Sequence, residues 1–442
     1  MHPKITPQRT ARYLSLVAAF ILAALPFHAV ATTWLGSNVG HLDLVRIWKE
    51  ILLILMVPPT LFLVWRSREL TDWFKKDWVV KLFILYIVLH LALGAWALAR
   101  GEVNKTAYVY ALIINLRFIL FFLVCTVIAT YDGLLKKYAL KLLLWPAGVV
   151  LAFGLVQKLL LPYDFLKHLG YSSKTIPAYQ TVDSNIDYRR IQSTLRGANP
   201  LGAYLVLTTT AAVVKLKTKS ILKPLFILAS LFVLFFSYSR SSWIGVALSF
   251  GFLAYVGTRR QRSHIVYLAL SGVVLLAGGL YALHNNQGIQ DTFLHTSNNS
   301  AVSTTSNSVR LTAIKDGARD VIHQPLGRGP GTAGPASVRN DHAPRIAENY
   351  YLQLGQEVGL EGLAIFLAIN FIVLVRLWRV RADSLARILL ASWIGISFIN
   401  LLSHAWSDDT LSLLWWGLAG IMLAPVILGV KNKRNETKAQ KA

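Results

Sequence analysis

The chain has 442 residues, of which 55% are hydrophobic and only 15% charged. Soluble domains carry about 25% charged residues, so this composition excludes an ordinary soluble protein. The net charge of +24 would suit nucleic-acid binding, but in a polytopic membrane protein basic residues mark the cytoplasmic loops, and no nucleic-acid partner is expected. The single cysteine, Cys125, lies in an apolar run, which excludes an intramolecular disulfide and a thiolate metal site.

Apolar runs of spanning length, about 20 residues, recur along the chain. They lie near residues 13–31, 47–65, 79–99, 107–129, 138–161, 199–214, 221–237, 241–257, 264–283, 358–378, 385–403 and 410–430. The runs 199–214 and 241–257 are short and require tilt or local bilayer thinning. The sequence therefore predicts an all-α polytopic membrane protein with about 12 transmembrane helices, forming one integral membrane domain over 1–442.

Alternate loops between these runs differ in charge. Most of the 45 Lys and Arg residues fall in one set, namely the N-terminus, 66–81, 136–141, 215–223, 259–262, 376–387 and the C-terminal tail. Basic loops face the cytoplasm, so both termini are predicted to be cytoplasmic. The two long polar segments, 162–198 and 284–357, are then extracytoplasmic.

The predicted outer segments and turns are rich in arginine, against the charge bias of membrane topology. These residues are Arg190, Arg196, Arg240, Arg310, Arg319, Arg328, Arg339 and Arg345. A guanidinium group offers a planar fork of donors that suits phosphate oxygens. Binding of a diphosphate is the preferred interpretation for Arg190, Arg240 and Arg310. For the others, solvated loop positions or contacts with lipid headgroups stay open.

Arg117 lies in the middle of the fourth apolar run. An arginine at the centre of a spanning helix costs about 2.5–3.5 kcal/mol, even on insertion scales. Its side chain is therefore predicted to face the bundle interior beside an acidic or carbonyl partner. Both a structural role and a substrate contact are consistent with this position.

Two polar stretches precede the last three runs. Residues 296–308 are almost entirely Ser, Thr and Asn and cannot fold alone, which predicts a linker or a mobile gate. The stretch Gly327-Arg-Gly-Pro-Gly331 lacks the Gly-Lys-Ser/Thr ending of a nucleotide-binding loop. Nucleotide binding is therefore not expected.

The densest group of polar residues lies between Asp341 and Gly362. A helix beginning near Ala347 would place Glu348 and Asn349 in its first turn. Glu348 is a candidate general base, or alternatively a carboxylate favoured by the helix dipole. His342 is a second candidate base, or alternatively a loop histidine.

Further residues are predicted to support this group. They are Asn349, Tyr351, His404 and Asp408, with Asp409 beside the last. Three glycines at helical spacing, Gly355, Gly359 and Gly362, predict close helix contact in the membrane. The histidines are dispersed and lack metal-ligand spacing, so neither a metal nor another cofactor is expected.

Three ordered patterns carry a family resemblance. The first is Arg190-x-x-Ser-Thr-x-x-x-x-Asn-Pro-x-Gly202, and the second is Ser237-x-Ser-Arg240. The third begins at Ser308-Val-Arg310, passes through Gln324-Pro-Leu-Gly-Arg-Gly-Pro-Gly331, and ends in Glu348-Asn-x-Tyr-Leu352 before Glu357-x-Gly-Leu-x-Gly362. Together they resemble the O-antigen ligase and O-antigen polymerase superfamily of bacterial membrane glycosyltransferases. Many members have histidine at the position of Glu348, so this chain departs from the usual pattern there.

The resemblance implies transfer of a glycan from undecaprenyl diphosphate to an acceptor hydroxyl, at the outer face of the bacterial cytoplasmic (inner) membrane. It implies an inverting reaction without metal or nucleotide, in a fold similar to membrane-embedded lipid-linked-sugar transferases. Arg190, Arg240 and Arg310 would bind the diphosphate, with Arg196 and Arg345 in support. Glu348 or His342 would take the acceptor proton.

Other functions stay open at the level of sequence. The acceptor could be the lipid A core, another repeat unit, a protein or a wall polymer, so a polymerase of O-antigen or exopolysaccharide is one alternative. A transporter of lipid-linked sugars is an alternative from a different class. Transporters often show two similar halves, whereas no convincing repeat occurs here and the polar groups cluster on one side, which disfavours transport.

Overall fold

The computed structural model of the protein describes residues 6–182, 185–216, 220–256 and 306–427. Its α-helices are α1 Pro7–Ala24, α2 His28–Val39, α3 Leu42–Arg46, α4 Trp48–Arg66, α5 Arg68–Lys76, α6 Trp78–Ala99, α7 Lys105–Tyr131, α8 Leu134–Leu159, α9 Ala198–Lys215, α10 Leu222–Ser237, α11 Arg240–Val256, α12 Ser306–His323, α13 Gly334–Ser337, α14 Tyr350–Arg379, α15 Ser384–Asn400 and α16 Asp409–Ile427. The described residues therefore form a largely helical protein.

Six helical segments are long and apolar enough to cross a membrane. They are Pro7–Asn38, Trp48–Arg66, Trp78–Ala99, Lys105–Tyr131, Leu134–Leu159 and Tyr350–Arg379, and shorter apolar helices cover Leu222–Ser237, Ser384–Asn400 and Asp409–Ala424. These helices support a multi-pass membrane protein. The predicted run 264–283 and the C-terminal tail lie outside the described residues, and the total of twelve spans stays a prediction.

The centre of the bundle is formed by α7 and α16, which pack along each other. The Trp416 ring lies 4.7 Å from Phe118 and 6.0 Å from Phe122, centroid to centroid, on the facing helix. A second close contact joins α11 to α15, where a Cβ on Gly395 would lie 2.2 Å from the carbonyl oxygen of Gly245. Small residues of this kind let helix backbones approach closely in membranes.

The first predicted outer segment contains a small antiparallel sheet. Strand β1, Gln180–Val182, pairs with β2, Asn185–Arg190, so the all-α prediction is wrong at this point. Both strands are polar and partly exposed, and they show no alternation of apolar residues that would predict a strand. Arg189 in β2 stacks over the Tyr163 ring at 4.8 Å.

The helix that follows the second predicted outer segment begins later than the sequence indicates. Helix α14 begins at Tyr350, and Asn349 is its N-cap, accepting hydrogen bonds from the backbone of Tyr351 and Leu352 at 2.9 and 3.0 Å. Glu348 and Asn349 therefore precede the helix instead of lying in its first turn. In the polar stretch 296–308, residues 306–308 begin α12, and the remainder lies outside the described residues.

Helix α14 is broken at Gly359, whose φ is +72°. The glycine-rich loop inserts at the break. The Leu360 amide donates to the carbonyl of Pro325 at 2.8 Å, and the Gly329 amide donates to the carbonyl of Glu357 at 2.8 Å. Backbone groups freed by a broken membrane helix must find partners within the protein. Gly359 therefore serves the break, and its closest neighbours are the loop residues Pro325 and Leu326, whereas the sequence predicted a close contact with another helix.

The side chain of Glu357 fixes the same loop. Its Oε1 accepts the Gly331 amide at 2.8 Å and its Oε2 accepts the amide of Asn115 at 2.9 Å. The loop between Pro325 and Gly331 thus uses its amide groups to bind α14.

Candidate functional site

The loop of the first motif, Ile191–Gly197, is pinned between several helices. Ser193 has φ +50°, its amide donates to Gln157 Oε1 at 2.8 Å, and its hydroxyl donates to the carbonyl of Val150 at 2.7 Å. The Thr194 hydroxyl donates to the carbonyl of Pro26 at 2.8 Å. These bonds hold the loop against α8 and the turn between α1 and α2.

Arg190 joins the first motif to the second. Its Nε donates to the carbonyl of Ser237 at 2.8 Å, and its Nη2 donates to Asn199 Oδ1 at 2.6 Å. The guanidinium group is half-buried between β2, α9 and α10. Arg190 therefore organises the two motifs, besides being a candidate for substrate binding.

Arg240 begins α11, directly after the turn of the second motif. Tyr238 in this turn has φ +51°, and the hydroxyl oxygens of Ser239 and Ser242 lie 2.8 Å apart. Gly202 of the first motif packs on them, since a Cβ there would lie 2.4 Å from Ser242 Oγ. Arg240 is half-buried at a helix N-terminus, a position that favours anions.

Glu348 and Arg310 form an ion pair in the third motif. Arg310 Nε lies 3.8 Å from Glu348 Oε2, and the side chains are 29% and 35% exposed. This Nε is buried and has no hydrogen-bond partner among the described residues. Glu348 has φ +51°, an uncommon conformation for a residue other than glycine.

The loop between α15 and α16, Leu401–Asp408, is the meeting point of these elements. Asn349 Nδ2 donates to the carbonyl of Leu401 at 3.1 Å, which holds the neighbouring Glu348 beside this loop. Arg196 Nε pairs with the buried Asp408 at 3.2 Å while its own side chain is 41% exposed. Two arginines from distant parts of the chain thus reach the same loop region.

His404 lies in this loop with both ring nitrogens buried and without hydrogen-bond partners in the described part of the chain. Burial, followed by the charges of Arg196 and Arg310, lowers the pKa of His404 to about 4. The imidazole is therefore neutral at physiological pH and offers one donor and one acceptor. We name Arg196, Arg310, Glu348 and His404 the 401–408 cluster.

Arg345 binds elsewhere in the third motif. Its Nε donates to Asp320 Oδ2 at 3.1 Å, and Gln356 Nε2 donates to the same oxygen at 2.7 Å. Burial alone would raise the pKa of Asp320, but these hydrogen bonds from Arg345 and Gln356 outweigh it and lower that pKa. Arg345 therefore ties α12 to the start of α14.

His342 is exposed, and its Nε2 lies 2.9 Å from the carbonyl oxygen of Gly101, in the turn between α6 and α7. No hydrogen bond within the described ranges joins it to the 401–408 cluster. Tyr351 is half-buried in the first turn of α14, its ring 6.3 Å from that of Tyr350. Of the two candidate bases, Glu348 is the one that the structure brings to the cluster.

The remaining arginines of the predicted outer segments contact residues outside the 401–408 cluster. Arg319 is exposed and lies 4.0 Å from Asp316 on its own helix, and Arg328 bonds to Gln324. Arg339 stacks over the Tyr110 ring at 4.3 Å. For Arg319 the contacts favour the solvated interpretation.

The prediction for Arg117 is confirmed, because the structure gives it both kinds of partner. Its Nη1 lies 3.2 Å from Glu50 Oε1, and its Nη2 donates to the carbonyl of Ser407 at 2.6 Å. Lys49 Nζ lies 3.2 Å from Glu50 Oε2 and 2.8 Å from Asp409 Oδ2. This buried charge network is the largest feature that the sequence reasoning missed.

A cavity of about 410 Å³ lies beside this network, between α2, α3, α4 and α7. Its wall includes Arg196, Ser407 and Asp409, so it adjoins the 401–408 cluster. A volume of this size is typical of small-ligand sites. Arg196, from the loop of the first motif, lines this cavity, and together with Arg310 of the third motif it lies close enough to His404 to lower the pKa of that histidine.

These features define a polytopic membrane protein with a concentrated set of arginines and carboxylates at its loops. Residues 225–367 match the model of the O-antigen ligase family. This match confirms the predicted resemblance to the O-antigen ligase superfamily, and it spans the second and third motifs. A search of curated proteins found no match to the chain.

Proposed function

We propose that the protein is an O-antigen ligase-like glycosyltransferase that moves a glycan from undecaprenyl diphosphate to an acceptor hydroxyl. The reaction takes place at the outer face of the bacterial cytoplasmic membrane, with both chain termini in the cytoplasm. The observation that carries the proposal is the 401–408 cluster, where a candidate base and anion-binding groups meet within the family's motifs. Membrane lipids surround the donor's polyprenyl chain.

In this proposal the donor diphosphate binds where hydrogen-bonding capacity is unused. Arg310 Nε and both ring nitrogens of His404 are buried without partners in the described residues, and Arg196 is partly exposed beside them. Arg190 and Arg240 flank the site through the first and second motifs, and Arg345 supports it through α12. Charge-assisted hydrogen bonds to phosphate are about twice as strong as neutral ones.

The transfer is written as a single displacement. The acceptor hydroxyl attacks the anomeric carbon of the donor glycan, and Glu348 takes the hydroxyl proton. The bond from the anomeric carbon to the phosphate oxygen breaks, and its electron pair leaves with undecaprenyl diphosphate. One displacement inverts the anomeric configuration.

The arginines stabilise the charge that develops on the departing diphosphate. Preorganised positive groups in a site sheltered from water stabilise such charge strongly, because they need not reorganise during the reaction. In the proposal this replaces the role that a divalent ion plays in other transferases. The reaction is therefore proposed to proceed without metal or cofactor.

A polymerase of O-antigen or exopolysaccharide is the second candidate. The observation that favours it is Glu348, which stands where many O-antigen ligases have histidine. Both enzymes would use the same donor site, and they differ in the acceptor, which is a glycan on a lipid carrier for the polymerase. Supplying different acceptors to the same protein separates them.

The test is reconstitution of the purified protein in liposomes with an undecaprenyl-diphosphate-linked glycan and a panel of acceptors, in the presence of a chelator. We expect product formation to survive chelation and to be lost in Arg310→Ala and Arg240→Ala. Arg319→Ala removes an exposed arginine outside the cluster and is the matched control. Undiminished turnover in both Arg310→Ala and Arg240→Ala would refute the diphosphate-binding role.

A further inference from the structure

The cavity between α2, α3, α4 and α7 has an unusual charge distribution. Its wall holds five cationic side chains and three carboxylates. The cations are Arg46, Lys49, Arg117, Arg196 and Arg339, and the carboxylates are Asp43, Glu50 and Asp409. Basic residues are disfavoured on the predicted outer side of a membrane protein, so this surplus calls for a physical reason.

The deep part of the cavity is electrically balanced. Lys49 and Arg117 are 3% and 7% exposed, and they face Glu50 and Asp409 at 2.8 to 3.2 Å. Arg196 has its own partner in Asp408. Buried charges need such partners, because leaving one uncompensated costs several kcal/mol in the folded state. The unbalanced charge therefore lies elsewhere.

The surplus is at the cavity mouth, where two arginines share one carboxylate. Arg46 lies 3.6 Å and Arg339 3.7 Å from Asp43 Oδ1, whose side chain is 82% exposed. Both distances exceed the range of a good hydrogen bond, 2.7–3.2 Å. Arg339 is held in place by stacking over Tyr110. The mouth thus presents two positioned guanidinium groups with one excess positive charge and weakly engaged donors.

Donor capacity also remains inside the cavity. Arg117 Nε is buried and lacks a hydrogen-bond partner within the described ranges. Thr32 and Thr175 add hydroxyl oxygens to the wall, and both hydroxyls donate to backbone carbonyls. The chemistry fits a sugar carrying a single acidic group.

We propose that this cavity binds an acidic group, a phosphate or a carboxylate, carried by one of the glycan substrates. The proposal rests on the proposed glycosyltransferase function and adds a specificity site to it. The mouth is formed by α3 and by loop residues, so it receives the water-soluble part of a substrate. Arg196 lines the cavity and belongs to the 401–408 cluster, so a bound acidic sugar lies next to the transfer site.

Binding is tested first without catalysis. The thermal unfolding midpoint of the detergent-solubilised full chain is measured against increasing glucose 6-phosphate and glucuronate, with glucose as the neutral control. We expect the two acidic sugars to raise the midpoint more than glucose, because a ligand that binds only the folded state stabilises it. Arg46→Gln and Arg339→Gln should each weaken this binding about 10-fold or more. Arg319→Gln should retain it.

Transfer assays then identify which substrate carries the group. Matched acceptors with and without a phosphate are compared at a fixed donor, and matched acidic and neutral donor glycans at a fixed acceptor. For each matched pair, the KM of the neutral form is divided by the KM of the acidic form. The substrate, donor or acceptor, for which this ratio changes about 10-fold in Arg46→Gln or Arg339→Gln is the one that carries the acidic group.

The outcomes separate the two proposals. Acidic-sugar binding that depends on Arg46 and Arg339 in a protein without any transfer activity would overturn the proposed function and keep the cavity site. Transfer activity with no preference for acidic over neutral sugars, in binding and in KM, would overturn the cavity site and keep the proposed function. Acidic-sugar binding that is undiminished in both variants would also overturn it.

Discussion

The buried histidine of the 401–408 cluster makes the stability of the protein depend on pH. The ordinary histidine pKa of 6.5 is lowered to about 4 in His404, by burial and by Arg196 and Arg310. Between these two values the unfolded chain holds the proton and the folded chain does not. Stability rises with pH wherever the unfolded state binds more protons. The contribution of His404 is therefore fully present above pH 6.5 and is lost as the pH falls towards 4.

The size of this effect follows from the two pKa values. A difference from 6.5 to about 4 corresponds to about 3 kcal/mol of unfolding free energy. His404→Gln removes the titration and keeps a polar side chain of similar size. We expect the variant to lose less stability than the unmodified protein between pH 6.5 and 4, by up to about 3 kcal/mol at the acidic end.

The measurement is the unfolding midpoint in detergent, followed by tryptophan fluorescence from pH 8 to 4. His342→Gln removes an exposed histidine, and its unfolding midpoint should change with pH as steeply as that of the unmodified protein. Inorganic pyrophosphate should make the unfolding midpoint of the unmodified protein depend less steeply on pH, because negative charge beside His404 favours its protonated form. Parallel curves for the unmodified protein and His404→Gln would refute both the burial of this histidine and its proximity to the arginines.

Three further substitutions test the site and the fold. Glu348→Gln should lower the transfer rate about 10²-fold or more while donor binding persists, if this residue takes the acceptor proton, and full activity would exclude it as the base. Gly359→Ala should lower the unfolding midpoint, because φ is +72° and the new Cβ would lie 2.5 Å from the Pro325 carbonyl oxygen. The expected strain is about 1–3 kcal/mol or more. Gly148→Ala is the control, because a Cβ at that position would meet open space. Arg117→Leu removes one of the two cations that pair with Glu50, the other being Lys49, and should lower the unfolding free energy by up to about 3 kcal/mol. Arg117→Leu with Glu50→Gln should recover part of that loss, as a double-mutant cycle would measure.

The long apolar helices and the kind of partner that Arg117 has could be predicted from the sequence for the same reason. Burial in a bilayer is costly for polar groups, so a long apolar run indicates a spanning helix. For the same reason, a lone charge within such a run indicates a partner inside the protein. The same logic, applied to Lys49 and Glu50 near the start of the second run, would have indicated a buried pair. Charged residues are common at the ends of spans, however, so the sequence alone does not mark this pair as buried.

Local geometry around the motifs could not be predicted in this way. The break at Gly359 depends on the loop at Pro325, and the position of Arg196 depends on Asp408, a residue far away in the chain. A spacing of glycines or arginines in the sequence does not specify such distant partners. The start of α14 was misplaced because Glu348 suits a first helical turn, yet the structure gives it a left-handed conformation before the helix.

Backbone strain links the three motifs to the proposed chemistry. Each motif contains one residue other than glycine with a positive φ, namely Ser193, Tyr238 and Glu348. Such residues cost about 1–3 kcal/mol each and persist only where surrounding contacts fix them. Here the contacts are hydrogen bonds between the motifs and neighbouring segments, one of them buried and two partly buried. Sequences break local rules mainly at strained or functional sites. The strain therefore marks a candidate functional position in each of the three motifs, independently of the arginines.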